Sequence, residues 1–351
     1  MMQTNPQPIG RASRSPFLLR TIRTQPHVYS AICKARLLYS RRVAGAASRS
    51  LYRQHRDLFA MSDFESAQVE SLREHGYALI PGFFADAVVD GIYATADRLF
   101  RSLQIDFGRA YSVQTGTRAS LQGIPYEELA ATEKMIALRD PLVQIPEIIH
   151  IAFHESILKI AAHFLGYVPP LYRVTLVRDL PHDRPLHSSN FHKDNDESDS
   201  LQIFIYLVDI DDAHGPLVYV PGSNHYDVRS CRPRLSRDLG RAGNDGRLSD
   251  EEVARIYPRN AWATLRTKRG SIAAIHGNGI HKGPAWTRLG PENKPRTAIK
   301  LDLHGCKAGV VRDAKENRLR RADFERMSEL QKLFAHATLV EGEAAFAAHA
   351  S

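Results

Sequence analysis

Two histidines and one aspartate have the residue types and spacing of a metal site. His192 and Asp194 stand two positions apart, with Lys193 between them. On a β-strand, side chains two residues apart point to the same face, so an imidazole and a carboxylate would converge on one point. A distant histidine would complete a facial triad, which holds Fe(II) and leaves three coordination positions open for a bidentate co-substrate and dioxygen.

The His-x-Asp pattern is short and occurs three times in the 351 residues, so its context decides which copy could bind metal. His55 and Asp57 lie in a basic leader for which no fold is expected. The copy at residues 225–227 follows a Pro-Gly-Ser turn, where a polar loop is expected. Only His192 and Asp194 stand between two predicted strands, and we expect the metal at this copy.

The third ligand has two candidates near the end of the predicted β core. His276 and His281 are five residues apart in the Gly-containing segment 270–283. Either imidazole could reach the other two ligands from the end of a strand. The spacing alone leaves the choice between them open.

The elements that would position these residues are mostly short strands. Residues rich in Val, Ile, Leu, Tyr and Phe alternate with clusters of Gly, Pro, Asn and Asp, which predicts strands at 171–177, 201–208, 217–220, 261–267, 271–275 and 297–303. Because no helices recur between them, an antiparallel barrel or sandwich is favoured over a parallel sheet. Helical patterns precede this core and one follows it, at 63–74, 85–103, 127–166 and 313–336. The predicted fold class is mainly β with flanking helices.

In this order of motifs the sequence resembles the phytanoyl-CoA dioxygenase family of Fe(II)- and 2-oxoglutarate-dependent oxygenases. The resemblance covers about residues 65–305 and rests on His-x-Asp, a strand ending Pro-Gly-Ser at residue 223, a Gly-Ser strand ending in the distal histidine, and a final arginine. It implies a double-stranded β-helix core of the jelly-roll, cupin-like type. It also implies that His192, Asp194 and His281 are the catalytic metal ligands, and that His276 lies either beside these ligands or in the pocket.

Arg296 has a role on physical grounds that the resemblance strengthens. The distal carboxylate of 2-oxoglutarate would lie deep in the barrel, where an unpaired charge is costly and a bidentate guanidinium satisfies it. Arg296 opens the last predicted strand and can reach the barrel interior near His281. We therefore predict that Arg296 binds 2-oxoglutarate.

These residues together predict a non-haem Fe(II)- and 2-oxoglutarate-dependent dioxygenase. The expected reaction is hydroxylation of a small organic substrate by O2, with release of succinate and CO2. A non-catalytic jelly-roll ligand-binding protein and a zinc-dependent cupin-type hydrolase are the alternatives. The acidic stretch 194–199 and the Arg-rich interval 226–260 suggest opposite substrate charges. The substrate is therefore left open among an acyl-CoA, a specialised metabolite and a sugar derivative.

The net charge of +8 is concentrated at the N-terminus. Residues 1–60 hold ten arginines and one lysine against a single acid, whereas the rest has 36 basic and 38 acidic residues. Residues 1–60 are thus predicted to be a disordered basic leader, either a transit peptide or sequence upstream of a true start at Met61. A single dioxygenase domain is predicted over 61–340, with an Arg-rich lid insertion at 226–260, followed by an Ala-rich tail at 341–351.

Composition excludes several classes of protein. A nearly neutral folded part predicts no nucleic-acid binding, because a polyanion reader needs bases grouped on its folded surface. No stretch approaches about 18 uninterrupted apolar residues, so no membrane span is predicted. Cys33, Cys231 and Cys306 are too few and too far apart for a disulfide framework or a cysteine-built zinc site. We expect a small-molecule substrate as the partner and a cytoplasmic location, or a mitochondrial one if the leader is a transit peptide; the oligomeric state is left open.

Overall fold

Two β-sheets share one core, and helices cover the outer face of the larger sheet. A computed structural model of the chain describes residues 45–102, 107–112, 116–117, 123–138, 140–182, 187–194, 200–224, 247–283, 286, 290–304 and 317–341. All statements about the structure refer to these residues.

The larger sheet has eight strands, and all of its neighbouring strands pair antiparallel. Most neighbours are distant in the chain, which is typical of a jelly roll and not of a simple meander. In spatial order the strands are β1 (Tyr77–Ile80), β9 (Ile272–His276), β6 (Ser200–Tyr206), β11 (Arg296–His304), β5 (Leu171–Asp179), β4 (Glu133–Leu138), β2 (Phe107–Ser112) and β3 (Gly116–Thr117).

The smaller sheet faces the larger one and carries part of the candidate site. Its spatial order is β10 (His281–Lys282), β7 (Leu217–Tyr219) and β8 (Ala263–Leu265). Phe204 and Tyr206 of the larger sheet pack in one cluster with Leu217 and Leu265 of the smaller sheet. A separate parallel pair is formed by β12 (Asn317–Arg320) and β13 (Ala337–Val340). The fold is therefore the predicted one, a double-stranded β-helix with flanking helices.

The helices follow local signals in the sequence. The predicted helix at 63–74 begins with a capping box between Ser62 and Glu65 and ends at Gly76, whose φ is 82°. The described helices are α1 (Gly45–Gln54), α2 (Asp63–His75), α3 (Asp86–Phe100), α4 (Tyr126–Thr132), α5 (Pro141–Gln144), α6 (Ile148–Ala152), α7 (Glu155–Leu165), α8 (Asp250–Ala254), α9 (Arg321–Arg326) and α10 (Glu329–Phe334).

Strand β6 shows how the larger sheet serves two layers. Leu201, Ile203 and Ile205 pack with the helices, whereas Phe204 and Tyr206 pack between the sheets. Successive side chains alternate between the two faces of a strand. Because the helices cover one face of β6 and the smaller sheet covers the other, every residue of β6 is buried. The face between the sheets is the one that can present side chains to a bound ligand.

Two of the predicted helical segments contain strands. Segment 127–166 includes β4, and segment 313–336 includes β12 before α9 and α10. Strand β4 pairs with β5 on one side and β2 on the other, and its residues are buried on both faces. Its apolar residues therefore lack the alternation typical of a half-exposed strand. The helical prediction is wrong at 133–138 and 317–320, because pairing with distant residues determines the backbone there.

One described segment, Ile148–Leu165, is long and apolar enough to be considered as a membrane span. In the fold it is two short helices, α6 and α7, which belong largely to the core. A buried core helix passes the same test of length and hydropathy, so this segment is weak support for a span.

The end of the predicted leader is part of the fold. Phe59 is 2% exposed, and its ring lies 6.2 Å from that of Phe334 in α10. The His163 Nε2–H donates to the Phe59 carbonyl over 2.7 Å, so its Nδ1 accepts from the Tyr52 hydroxyl at 3.0 Å. These contacts join α1 and the turn after it to α7.

The prediction of a disordered leader is therefore wrong for residues 45–60. Residues 1–44, most of the predicted lid (225–246) and nearly all of the predicted tail (342–351) lie outside the described residues. The division of the chain into leader, domain, lid and tail otherwise stays a prediction.

Replacing Phe59 with alanine is expected to lower the free energy of unfolding by about 3–5 kcal/mol, the usual cost of truncating a buried phenylalanine. Chemical denaturation of the full chain measures this change. Leu51→Ala is the matched control, because Leu51 is 38% exposed in α1 and its truncation should cost less than about 0.5 kcal/mol. Equal effects of the two substitutions would contradict the packing of this segment on the domain.

Candidate metal site

Backbone pairing places His192 and His281 side by side. The His192 N–H donates to the His281 carbonyl over 2.9 Å, and the His281 N–H donates to the His192 carbonyl over 3.0 Å. Residues in such a reciprocal pair lie directly opposite each other, with their side chains on one face. The two imidazole centroids are 4.4 Å apart. This bridge to the edge of the smaller sheet therefore brings together two ligands that are 89 residues apart in the chain.

Asp194 reaches the same point from a bend, not from a strand. In the segment 187–194 only Phe191 and His192 form β-bridges, and Asp194 follows in a bend. The Asp194 N–H donates to the Gly277 carbonyl over 2.9 Å. The Gly277 N–H in turn donates to the carbonyl of Ser200 in β6. The expected convergence of His192 and Asp194 is present, but this hydrogen bond to the loop after β9 produces it and not strand alternation.

Each imidazole commits its Nδ1–H to a backbone carbonyl. The His192 Nδ1 donates to Asn190 over 2.9 Å, and the His281 Nδ1 donates to Gly279 over 3.0 Å. A carbonyl only accepts, so Nδ1 carries the proton and Nε2 of the neutral ring presents a lone pair. Both Nε2 atoms lie 3.3 Å from an oxygen of Asp194.

The charge states of these groups favour a cation between them. Burial, together with repulsion from His281, lowers the pKa of His192 to about 4, so this ring is neutral at pH 7. Burial alone would raise the pKa of Asp194, but the neighbouring His281 and His192 hold it well below its ordinary value, so the carboxyl is ionised. A neutral Nε2 facing an ionised carboxylate at 3.3 Å is repulsive unless a positive ion lies between them.

The donor set fits a divalent transition metal. One ligand atom from each of His192, Asp194 and His281 lies within 4.8 Å of the other two, the one such group found in the described part of the chain. Two neutral imidazoles and one carboxylate are the set that holds non-haem Fe(II) while leaving positions open. The residues present therefore fit the metal that the sequence predicts.

Tyr219 supports His281 from the neighbouring strand. It lies directly opposite His281, and the two rings are nearly parallel, at 13° with centroids 6.2 Å apart. Its hydroxyl donates to the His276 carbonyl over 3.2 Å and lies between Gly76 and Gly279. A Cβ at either glycine would overlap this hydroxyl. Glycine at 279 therefore leaves room for the tyrosine, while its carbonyl orients the imidazole.

His276 lies on the other face of the larger sheet. It pairs with Leu201, whose side chain packs with the helices, and its ring meets Phe164 of α7 edge-on. The structure thus separates the two candidate third ligands, because only His281 joins His192 and Asp194. The expectation that His276 lies beside the ligands or in the pocket is wrong for its side chain, since the alternation of β9 directs the ring toward the helices.

The three candidate ligands line a cavity of about 250 Å³ between the two sheets. Both sheets contribute to its wall, and charged or polar side chains from several strands and from the segment before α8 converge there: Lys134, Asp179, Gln202, Arg247, Arg296 and Lys300. A cleft with a few convergent polar groups is the usual form of a small-molecule site.

Arg296 lines this cavity, as predicted, but its bidentate face is already paired. Its Nε and Nη2 donate to Asp179 Oδ2 over 3.0 and 2.8 Å, and its Nη1 donates to the Gly215 carbonyl over 3.1 Å. A guanidinium has five N–H groups, so one remains on each terminal nitrogen. A Cβ on Gly283, two residues after His281, would lie 3.3 Å from Nη1. Arg296 is thus close to the candidate metal site.

Lys134 is a site residue that the sequence reasoning missed. It belongs to β4, which lies in a segment predicted to be helical, and it is 2% exposed. Its Nζ donates to the Ser188 hydroxyl over 3.1 Å. Burial lowers the pKa of Lys134 to about 8, although nearby Asp179 opposes this effect. Lys134 therefore places a second positive charge in the cavity that Arg296 lines. This charge is lost at a lower pH than that of an ordinary lysine.

Gln202 and Lys300 were also missed, although the sequence contains a signal for both. Each is a polar residue between two buried apolar residues, in Leu201-Gln202-Ile203 and Ile299-Lys300-Leu301. Such a residue on a buried strand faces either a polar partner or a cavity. The acidic residues at 196, 197 and 199 were one indication of the substrate's charge, and they lie outside the described residues.

His281→Ala is expected to weaken Co(II) or Fe(II) binding by more than the roughly 10- to 100-fold that loss of an outer partner costs. His276→Ala is the matched control, because this histidine lies five residues earlier and on the opposite face of the sheet. Anaerobic calorimetric titration of the metal into each variant measures the difference. Similar metal affinities for the two variants would contradict the assignment of His281.

Comparison with known proteins identifies a family. A family model described as phytanoyl-CoA dioxygenase (PhyH) matches residues 72–287. This range includes the three candidate ligands and ends before Arg296. A comparison with curated proteins finds no match.

Similar solved structures have low sequence identity to the chain. SnoN from nogalamycin biosynthesis, a non-heme alpha ketoglutarate dependent epimerase, is 18% identical with a TM-score of 0.45, over 68% of this chain and 80% of SnoN. EvdO2 from Micromonospora carbonacea var. aurantiaca, complexed with 2-oxoglutarate, is 17% identical with a TM-score of 0.44, over 73% and 96%. EctD from S. alaskensis, with bound Fe, is 16% identical with a TM-score of 0.43, over 69% and 76%.

Proposed function

Because the chain belongs to the phytanoyl-CoA dioxygenase family of iron- and 2-oxoglutarate-dependent enzymes, we propose that it hydroxylates a small organic substrate, with release of succinate and CO2. The observation that carries the proposal is the convergence of two Nε2 lone pairs and one carboxylate within 4.8 Å, in the wall of a cavity that also contains Arg296. His192, Asp194 and His281 are the proposed metal ligands.

Bound iron would supply the activation of dioxygen, coupled to oxidative decarboxylation of 2-oxoglutarate and oxidation of the substrate. The protein's own part is geometry. Carbonyls of Asn190 and Gly279 fix the ring orientation and tautomer of the two histidines, so that no ligand has to lose a proton or rotate when metal binds. Both sheets contribute to the wall of the site, and the two histidines are buried in it.

Arg296 and Lys134 are proposed to bind the distal carboxylate of 2-oxoglutarate. Arg296 offers one N–H on each terminal nitrogen, since Asp179 and Gly215 occupy the other three. Lys134 adds a second buried positive charge. Because Asp179 neutralises one of the two cations, the pair forms a site with a net charge of about one positive, which suits one carboxylate.

The same features weigh against the alternatives. A binding protein without catalysis would not need all three ligand side chains, and none is missing here. A zinc hydrolase would use the same donor set, but it has no need for a buried arginine and lysine placed to hold a dianionic co-substrate. Membership of the family favours the iron enzyme over both.

An anaerobic titration tests the proposal. Full-length protein loaded with Fe(II) is expected to develop a weak visible charge-transfer band as 2-oxoglutarate is added, and to release succinate once air is admitted. His276→Ala should retain the band and His281→Ala should lose it. Iron binding without a band would overturn the oxygenase assignment in favour of a binding protein or a zinc enzyme.

Arg296→Gln is expected to raise the Kd for 2-oxoglutarate roughly 10- to 100-fold, because a hydrogen bond to a charged group contributes about 1.5–3 kcal/mol. Titration of the charge-transfer band measures the Kd. Asp179→Asn is the matched control, since it removes the partner of Arg296 but keeps the guanidinium, and it should not weaken co-substrate binding. Thermal unfolding of both variants separates binding from stability, and weaker binding in Asp179→Asn alone would contradict the role of Arg296.

The affinity for 2-oxoglutarate is expected to fall as the pH rises above about 8, by up to tenfold per pH unit. The pKa of Lys134 is lowered to about 8 by burial, so its charge is present below this pH and lost above it in the unliganded protein. Calorimetric titration of the Co(II)-loaded protein between pH 6.5 and 9 measures the profile. Lys134→Met should bind more weakly at pH 7 and show a flat profile; an equally steep decline in this variant would exclude Lys134 as the cause.

A further inference from the structure

We propose that the substrate carries an anionic group, a carboxylate or a phosphate, which Lys300 and Gln202 bind beside the candidate metal ligands. This inference rests on the proposed function and names the substrate class for the same site. It is carried by the position of Lys300 and by the charge balance of the cavity.

Lys300 faces the metal ligands from the opposite sheet. It lies on β11 between Thr175 of β5 and Phe204 of β6, on the face directed into the space between the sheets. Its Nζ is 5.6 Å from the centroid of the Phe204 ring and 3.2 Å from Asp302 Oδ1. Its side chain remains 25% exposed. A lysine that is held in place but still accessible can bind an incoming anion with little ordering cost.

The position of Lys300 differs from that proposed for the co-substrate. Arg296 opens the same strand four residues earlier, and four residues of a strand span about 13 Å. Arg296 lies opposite Asp179 of β5, whereas Lys300 lies opposite Thr175, four residues further along the strand pair. 2-Oxoglutarate held by the metal and Arg296 therefore leaves Lys300 for a different ligand.

The charges on the cavity wall favour an anion at that position. Lys134, Arg296 and Lys300 line the cavity against two carboxylates, Asp179 and Asp194, and the two imidazoles are counted as neutral ligands. Iron(II) and the 2-oxoglutarate dianion cancel each other, so a net charge of one positive remains among these residues. An anionic group on the substrate would balance this charge.

Asp302 does not remove the charge of Lys300, because it is shared. Its carboxylate also accepts from Arg173 Nε over 3.0 Å, so two cations compete for one carboxylate. Gln202 lies opposite Asp302 on β6, is 5% exposed and lines the cavity. Its amide can donate to one oxygen of a carboxylate or phosphate while Lys300 pairs with another.

A matched set of three aromatic probes tests the proposal. Benzoate, phenyl phosphate and benzamide share a ring, and only the first two are anions. Each is titrated calorimetrically into the full-length protein held anaerobically with Fe(II) and saturating 2-oxoglutarate. We expect at least one anion to bind about tenfold or more tightly than benzamide, and the better anion then tells whether the site suits a carboxylate or a phosphate.

Lys300→Met should abolish the preference for the anion, because it keeps an unbranched side chain and removes the charge. Lys268→Met is the matched control, since its ammonium pairs with Asp209 on the surface and its side chain is 81% exposed. This control should keep the preference. Benzamide binding as tightly as both anions, or an unchanged preference in Lys300→Met, would overturn the proposal.

The charge-transfer band recorded on the same samples separates this inference from the proposed function. A band in both the wild type and Lys300→Met shows that iron and 2-oxoglutarate bind, whatever the probes do. Loss of the band on adding benzoate would mean that the anion displaces 2-oxoglutarate, which also overturns a separate anion site. Absence of the band before any probe is added contradicts the proposed function, while the calorimetric comparison still reports on the anion preference.

Discussion

Two backbone hydrogen bonds between His192 and His281 are the constraint on which the candidate site depends. They set two imidazoles side by side, with both Nδ1 atoms turned to backbone carbonyls and both Nε2 atoms turned to Asp194. The backbone pairing thus positions the two imidazoles that would hold the metal. Asp194 links this pair to the larger sheet through Gly277, so a shift of either sheet would separate the ligands.

The charged groups in the cavity come largely from the strands that form its wall. Strand β11 carries Arg296 at its start and Lys300 four residues later, both directed between the sheets. The spacing of side chains along one strand therefore separates a position suited to a dicarboxylate co-substrate from a position suited to an anionic substrate. Because side chains alternate along a strand, Ile299 and Leu301 of β11 are buried against the helices. Their packing holds the strand in place, and Arg296 and Lys300 extend from its other face into the cavity.

Much of the site could be predicted from the sequence, because its signals are local. His-x-Asp, the Pro-Gly-Ser turn and the distal histidine follow one another in an order that the resemblance to the family made interpretable. The choice between His276 and His281 depended on this resemblance, and the alternation of β9 supplies the physical reason that spacing alone lacked. Arg296 lies in the cavity as predicted, but its pairing with Asp179 joins residues 117 positions apart and has no local signal.

Other features depended on packing that no short segment encodes. Lys134 escaped notice because β4 is buried on both faces and lacks the alternation of a strand, so its segment was predicted as a helix. The end of the leader was predicted to be disordered from its excess of arginine. This end is folded because Phe59 packs on Phe334 of α10 and Tyr52 bonds to His163 of α7. Composition does not reveal these contacts.

Tyr219 couples the metal site to the rest of the fold. Its ring lies against His281, and its hydroxyl fits between Gly279 and Gly76, the residue that ends α2. The orientation of one ligand thus depends on how a helix from the N-terminal part packs against the smaller sheet. Because unfolding separates all these segments, a metal that binds only the native arrangement stabilises the whole domain by mass action. The contact between the candidate metal site and the end of α2 therefore consists of one tyrosine and two glycines.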